Sequence, residues 1–347
     1  MQPALFAPVA CAIVLLLSAC PSSAKPLQPE RKIDASADFT GKTPSKPAKD
    51  VSGLACLPRD DGERRCLLAN DENIVAQFVT LKGKRIKPGK TVALIGDKPS
   101  AATLGATPSV ACPKPGSFGE FDSEGVAYAA PYFYVVGSHG CSRNTGEFRL
   151  SSFHLARIKV DTAGKPEGPA ELTYRLGDAL RQAGAAGAFF GKDLMSADGL
   201  NIEGLAVVGD QLWAGLRAPA PGDRAVLVGT NVSALFAPGH DMLRAPPEVV
   251  AFDAGRGRGI RDLAALADGR LIALVGPRQE EDVPYALILV DPRQPTAARE
   301  LGELKQKRNA KAEVVTLLAE TGDGVILLVG YDGKKNGDFE EYRLPLQ

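Results

Sequence analysis

Apolar residues in this chain come in short runs, two at a time, separated by turns rich in Gly, Pro and Asp. The stretch FDSEGVAYAAPYFYVVGSHG, residues 121–140, shows the unit. Two apolar strands flank a tight Ala-Ala-Pro turn, with Asp122 and Glu124 at one end and His139 at the other. The first strand recurs. Residues 50–55 read DVSGLA, 122–127 DSEGVA, 201–206 NIEGLA and 259–264 GIRDLA, and a weaker copy, AEVVT, begins at Ala312. Each leads through a short turn into a second strand: RRCLLANDE, YFYVVGSHG, QLWAGLRAP, GRLIALVGP and GVILLVGYD.

Aligning Gly53, Gly125, Gly204, Asp262 and Val314 gives a repeat of the length and turn chemistry expected of a β-propeller. Two further strand-like runs follow the hairpin, RAVLVGT and PEVVAF in the third unit, YALILVD and RELGEL in the fourth. Four strands make a blade. The fifth unit ends one strand short, at EEYRLPL, and RKIDASADF near the N-terminus could supply that strand and close the ring. The pattern therefore predicts an all-β propeller of five blades, with six as the alternative. The recurrence disfavours unrelated hairpins in a sandwich. One helix is predicted near 178–190, from DALRQAGAAGAFFGKDLM, with Asp178 as its N-cap and a position as a lid over the face where blades begin.

In a propeller the start of each first strand and the end of each second strand share one face. This places Glu124, Glu203, Arg261 and Glu313 at the channel mouth. Asp71, Glu72, His139, Arg143, Arg217, Arg278 and Asp332 follow the second strands on the same face. Two readings compete for such a ring. The ion pairs can cap one another, or the face can bind a ligand or a hard cation such as Ca²⁺ through carboxylates, with Glu124 and Glu203 as the metal ligands. Loops on a rigid scaffold favour a binding face.

Composition narrows the partners. Lys plus Arg equals Asp plus Glu at 41 each, so the formal net charge is zero and no strongly basic nucleic-acid surface is expected. The expected partner is a small anionic ligand or an envelope protein, held by Glu124, Glu203, Arg261, Arg217, His139, Arg143 and Glu313. The first residues, MQPALFAPVACAIVLLLSAC, are too short to span a bilayer and fit a signal-peptide core over 1–19. Leu17-Ser18-Ala19-Cys20 resembles the lipobox of bacterial lipoproteins, which implies lipidation at Cys20 and membrane contact through the anchor only. No Lys or Arg precedes the apolar run, and cleavage near Ser22-Ser23-Ala24 of a soluble periplasmic protein is the alternative. Residues after Cys20 read as a Pro-, Ser- and Lys-rich tether, drawn as 20–30, and the domain as 31–347. In an oxidising periplasm the remaining cysteines are expected to pair as Cys56–Cys66, across a hairpin, and Cys112–Cys141.

Other chemistry finds little support. Three histidines, one of them His154 in an alternating strand, make a His-rich metal site improbable. There is no GxSxG elbow. GRGRG at 255–259 leads into a strand rather than a helix, and GAFFGKD at 187–193 fails the P-loop spacing.

The segments LNIEGLAV, LWAGLRAP, RAVLVG and GRGIRDLAALADGRLIALVGP resemble the bacterial family called domain of unknown function 3616, from about residue 50 to the end. That implies a propeller-like fold and little about activity. The EGLA hairpins are more distantly similar to the phytase-like esterase propellers. This second resemblance implies Ca²⁺-assisted phosphoester or ester hydrolysis, with Glu124 and Glu203 on the metal and Arg217 or Arg261 on the phosphate. Arg261 and Ser52 depart from an all-acidic cation site.

Overall fold

In the computed structural model, which describes residues 25–43, 46–58, 62–143 and 145–346, five antiparallel sheets stand around a central channel as a five-bladed β-propeller. Each inner strand packs on those of the neighbouring blades, and its blade runs outward from it. Blade one comprises Val51–Cys56, Glu63–Asn70, Val75–Lys82 and Arg85–Ala93. Blade two comprises Ser123–Ala129, Tyr132–Gly137, Leu155–Lys159 and Glu171–Thr173. Blade three comprises Asn201–Val208, Gln211–Ala218, Arg224–Asn231 and Glu248–Asp253. Blade four comprises Arg258–Ala265, Leu271–Pro277, Ala286–Val290 and Arg299–Glu303. Blade five contributes Lys311–Glu320, Gly324–Asp332 and Glu340–Pro345, and Arg31–Lys32 completes it by pairing antiparallel with Glu340–Glu341. The next residues, Asp34–Ala35, then pair with the outer strand of blade one, so one short segment stitches the first blade to the last.

Strands with apolar residues on both faces need a neighbour on both sides, and the ring provides it. Five buried clusters fill the five gaps between blades. The repeated glycine has a packing reason. A Cβ on Gly125 would lie 3.0 Å from the backbone nitrogen and Cβ of Leu205, and one on Gly204 would lie 2.9 Å from Leu263 Cγ. Bare backbone at these positions lets adjacent inner strands approach. In blade four Asp262 takes the glycine's place. Its fully buried carboxylate accepts from the amides of Leu263 at 2.8 Å and Val315 at 2.7 Å, and also from that of Leu205, so it ties three blades together.

The helical insertion forms where it was expected, broken into three short helices, α1 (Arg175–Arg181), α2 (Gly184–Gly187) and α3 (Leu194–Ala197), with positive φ at Gly184, where α2 begins, and at Gly191, between α2 and α3. Asp178 does not cap α1, whose N-cap is Tyr174. Its carboxylate accepts from the Leu243 amide at 2.9 Å instead. The N-cap role falls to Asp193, which accepts from Ser196 N at the start of α3. The insertion does reach the mouth, through Leu194.

Both disulfides form as expected, Cys56–Cys66 across the first hairpin and Cys112–Cys141 beside the mouth. Such bridges are typical of extracellular or periplasmic proteins. The expected signal peptide and the expected lipidation residue Cys20 lie outside the described residues. Among the described residues no helix is long and apolar enough to cross a membrane.

Candidate functional site

One irregularity occurs in every blade at the same place. The register between first and second strands slips between Val51 and Gly53, Ser123 and Gly125, Ile202 and Gly204, Ile260 and Asp262, and Ala312 and Val314. Each slip leaves one residue unpaired: Ser52, Glu124, Glu203, Arg261 and Glu313. A β-bulge bends its strand and re-aims a side chain. Five equivalent bulges thus build a ring of five side chains at the channel mouth.

On one side the ring pairs with itself. Arg261, 1% exposed, lies between Glu203, at 2.8 Å, and Glu313. Arg217, on the second strand of blade three, donates to the other oxygen of Glu203 at 2.7 Å and to the Arg278 carbonyl at 2.7 Å. Burial works against the charge on Arg261, but Glu203 and Glu313 more than offset it and hold the guanidinium protonated. Burial raises the Glu313 carboxyl to about 7, although Arg261 pulls it down. Two buried arginines and two buried glutamates therefore form one compensated network.

The other side is not compensated. Ser52 takes no part in charge pairing, since its hydroxyl donates to the Ser123 carbonyl at 2.6 Å. Glu124 opens onto the cavity, is otherwise enclosed by protein, and makes no ion pair or hydrogen bond among the described residues. Burial raises its carboxyl well above the ordinary range, and Glu203, Asp122, Asp71 and Glu313 add to this. Asp71 is pushed up to about 9, by burial first and then by Asp122, Glu313, Asp50 and Asp332. Asp122, whose carboxylate accepts from Ser138 Oγ, is also raised by burial.

These groups line a cavity of about 290 Å³ at the mouth. Its walls carry the carboxyls of Asp71, Asp122, Glu124, Glu203, Glu313 and Asp332 against the cations Arg143, Arg149 and Lys311. Lys311 is bound to Asp332 at 2.9 Å, and Arg149 to Glu120 at 2.6 Å. Acid therefore exceeds base at this surface. A larger cavity, about 570 Å³, occupies the opposite end of the channel, where Arg64, Tyr128 and Glu320 are the ionisable residues of a mostly apolar lining. The chemistry is at the mouth.

Of the predicted residues, Glu124, Glu203, Glu313 and Arg143 line the mouth cavity, and Arg217 and Arg261 lie behind Glu203. His139 does not join them. Its ring is fully buried against Phe153, with Nδ1 at 2.9 Å from the Gly137 carbonyl, and burial pushes its pKa down to about 4. The chain at His139 passes the mouth in a left-handed conformation (φ 51°), which turns the imidazole into the packing. Asp122, read from sequence as a polar end of its hairpin, also lines the cavity, and Asn201 and Lys311, not singled out from sequence, contribute as well. Their signal was present. They are the first letters of the repeat before each bulge, in DSEG, NIEG and KAEV.

Calcium, implied by the more distant resemblance, is not matched by these residues. Glu203 is committed to two arginines, Arg261 fills a ring position, and among the described residues no three acidic, His or Cys side chains are placed to hold a metal ion.

Residues 170–341 match the model of a family described as a protein of unknown function, DUF3616. This half of the chain carries the DUF3616 pattern. The match contains Glu203, Arg217, Arg261 and Glu313, while Asp71, Asp122 and Glu124 precede it. No curated protein matches. Among solved structures the chain is similar to an exo-β-1,3-galactanase from Clostridium thermocellum (10% identity, TM-score 0.47), covering 91% of this chain and 63% of that one. It therefore spans less than two thirds of the galactanase chain. A protein of unknown function from Dyadobacter fermentans matches at 10% identity with TM-score 0.42, over 92% and 99% of the two chains. Hydrazine synthase from Kuenenia stuttgartiensis matches at 10% identity with TM-score 0.38, over 89% and 70%.

Proposed function

We propose that this chain is an exported binding propeller whose channel mouth takes a small organic cation. The observation that carries the reading is Glu124, a carboxyl enclosed by protein with no cationic partner among the described residues, in a wall where acid exceeds base. A buried charge without a partner is costly, so the carboxyl holds its proton until a cation arrives. An ammonium or guanidinium group would supply both the charge and the hydrogen bonds. The sequence alone favoured an anion on the mixed Glu and Arg face. The guanidiniums of Arg217 and Arg261 are already engaged by glutamates.

The test is calorimetric titration and thermal shift with amines and guanidinium compounds, set against phosphate and citrate. Cations are expected to bind with release of protons, seen as a dependence of heat on the buffer's ionisation enthalpy. Glu124→Gln is expected to weaken binding on the order of 30-fold or more, the scale of removing one partner of a desolvated charge pair. Anions that bind in preference, or a Glu124→Gln variant that binds cations unchanged, would sink the reading. A flat response to every small ion would leave a protein partner as the remaining alternative.

The proposal includes a lipid anchor at Cys20. It is supported by the Leu-Ser-Ala-Cys motif and by the two disulfides. Cys20→Ala is expected to move the protein from the membrane fraction to the soluble fraction of the producing cell; unchanged fractionation would refute the anchor.

A further inference from the structure

The mouth cavity is acidic without being uniform. Its inner wall is where Glu124 lies, with two further acceptors that lack donors. Asn201 is 9% exposed and lines the cavity, and its Oδ1 is buried with no hydrogen-bond partner; Asp71 Oδ1 is in the same state. Three acceptors from three adjacent blades lining one cavity match a group with several N–H donors.

Arg143 presents the opposite chemistry. It stands on the loop that the Cys112–Cys141 bridge fixes beside the mouth, is exposed, and has no carboxylate partner among the described residues. The other two cations on the wall are occupied, Arg149 by Glu120 and Lys311 by Asp332. Arg143 is close enough to the ring for Arg217 to feel its charge. A simple amine bound at Glu124 would be repelled by this guanidinium, and a simple anion drawn to Arg143 would leave the Glu124 carboxyl without a cation. The volume, about 290 Å³, is at the small end of ligand sites.

We propose that the ligand is a small zwitterion of amino-acid size, its ammonium or guanidinium end held by Glu124, Asp71 and Asn201 and its carboxylate end by Arg143. This rests on the cation reading above and deepens it. A ligand carrying both charges would satisfy both ends, whereas a simple amine would be repelled by Arg143 and a simple acid would leave Glu124 without its cation.

The experiment compares matched pairs by calorimetry on the full-length protein: L-arginine against agmatine, and L-lysine against cadaverine, where each amine lacks only the carboxylate. The amino acids are expected to bind at least 10-fold more tightly than their amines. Arg143→Ala, at an exposed position that should leave the melting temperature unmoved, is expected to abolish that preference, the amines binding at least as well as before. Asn201→Ala is expected to weaken amino acids and amines alike. If amines bind as tightly as amino acids, or Arg143→Ala weakens both equally, the zwitterion is overturned while the cation site stands. If neither class binds, the cation reading falls and takes this inference with it.

Discussion

Arg261→Ala is expected to cost about 3–5 kcal/mol of stability, the range for removing one partner from a buried ion pair. The cause is what the substitution leaves behind. Glu203 keeps Arg217, but Glu313 loses its bridge, and a cavity opens where a fully buried guanidinium stood. The fall in melting temperature should be on the order of 10 °C. A second change separates electrostatics from packing. Glu313→Gln alone is expected to destabilise, whereas in the Arg261→Ala background it should restore part of the loss, because a neutral amide is cheaper to bury than an unpaired carboxylate. A variant within about 1 kcal/mol of wild type would show that the network is not a structural clamp.

Raising the pH from 7 to 9 is expected to destabilise the protein, contrary to the usual behaviour of carboxylates. Asp71, at about 9, and Glu124, raised well above its ordinary range, hold protons that the unfolded chain has already lost at neutral pH. The folded state thus binds more protons, and stability falls as pH climbs through the folded values. Glu313, at about 7, adds to the early part of this window. His139 and His154 act in the opposite sense, since burial depresses both to about 4. Their contribution is present above the unfolded histidine value near 6.5 and is lost only as pH falls toward 4, outside the window. Chemical denaturation at pH 7, 8 and 9 should show the decline, and Asp71→Asn should flatten it. A flat or rising wild-type profile would mean that these carboxyls are ionised in the folded state.

The blade pattern was readable because it is local. Strand, turn and bulge are written in six letters, and the unpaired residue always precedes the aligned position, so Glu124, Glu203, Arg261 and Glu313 could be placed at the mouth without coordinates. The direction a side chain takes after the strand ends is not local. Nothing in VVGSHG says that His139 turns inward against Phe153, which sits on a later segment. The choice of partners was likewise hidden. Sequence leaves open whether the Glu and Arg of the ring pair with one another, and only the fold brings Glu203 between Arg217 and Arg261. The breaks in the helical insertion were hidden for a related reason. DALRQAGAAGAFFGKDLM has helical composition throughout, but Gly184 and Gly191 adopt positive φ, and packing of Leu176, Ala179 and Ala186 into the cluster between blades two and three sets where each turn stops.

The stitch at Arg31–Lys32 sets the order in which this molecule can be completed. Its partner Glu341 lies 310 residues further along the chain, so blade five lacks its outer strand until nearly the whole polypeptide is available. Closing so long a loop is slow. During synthesis, the edge at Glu340–Pro345 is the last to form and the N-terminal segment must wait for it. A chain cut short there keeps Asp34–Ala35 beside blade one but leaves the ring without its clasp.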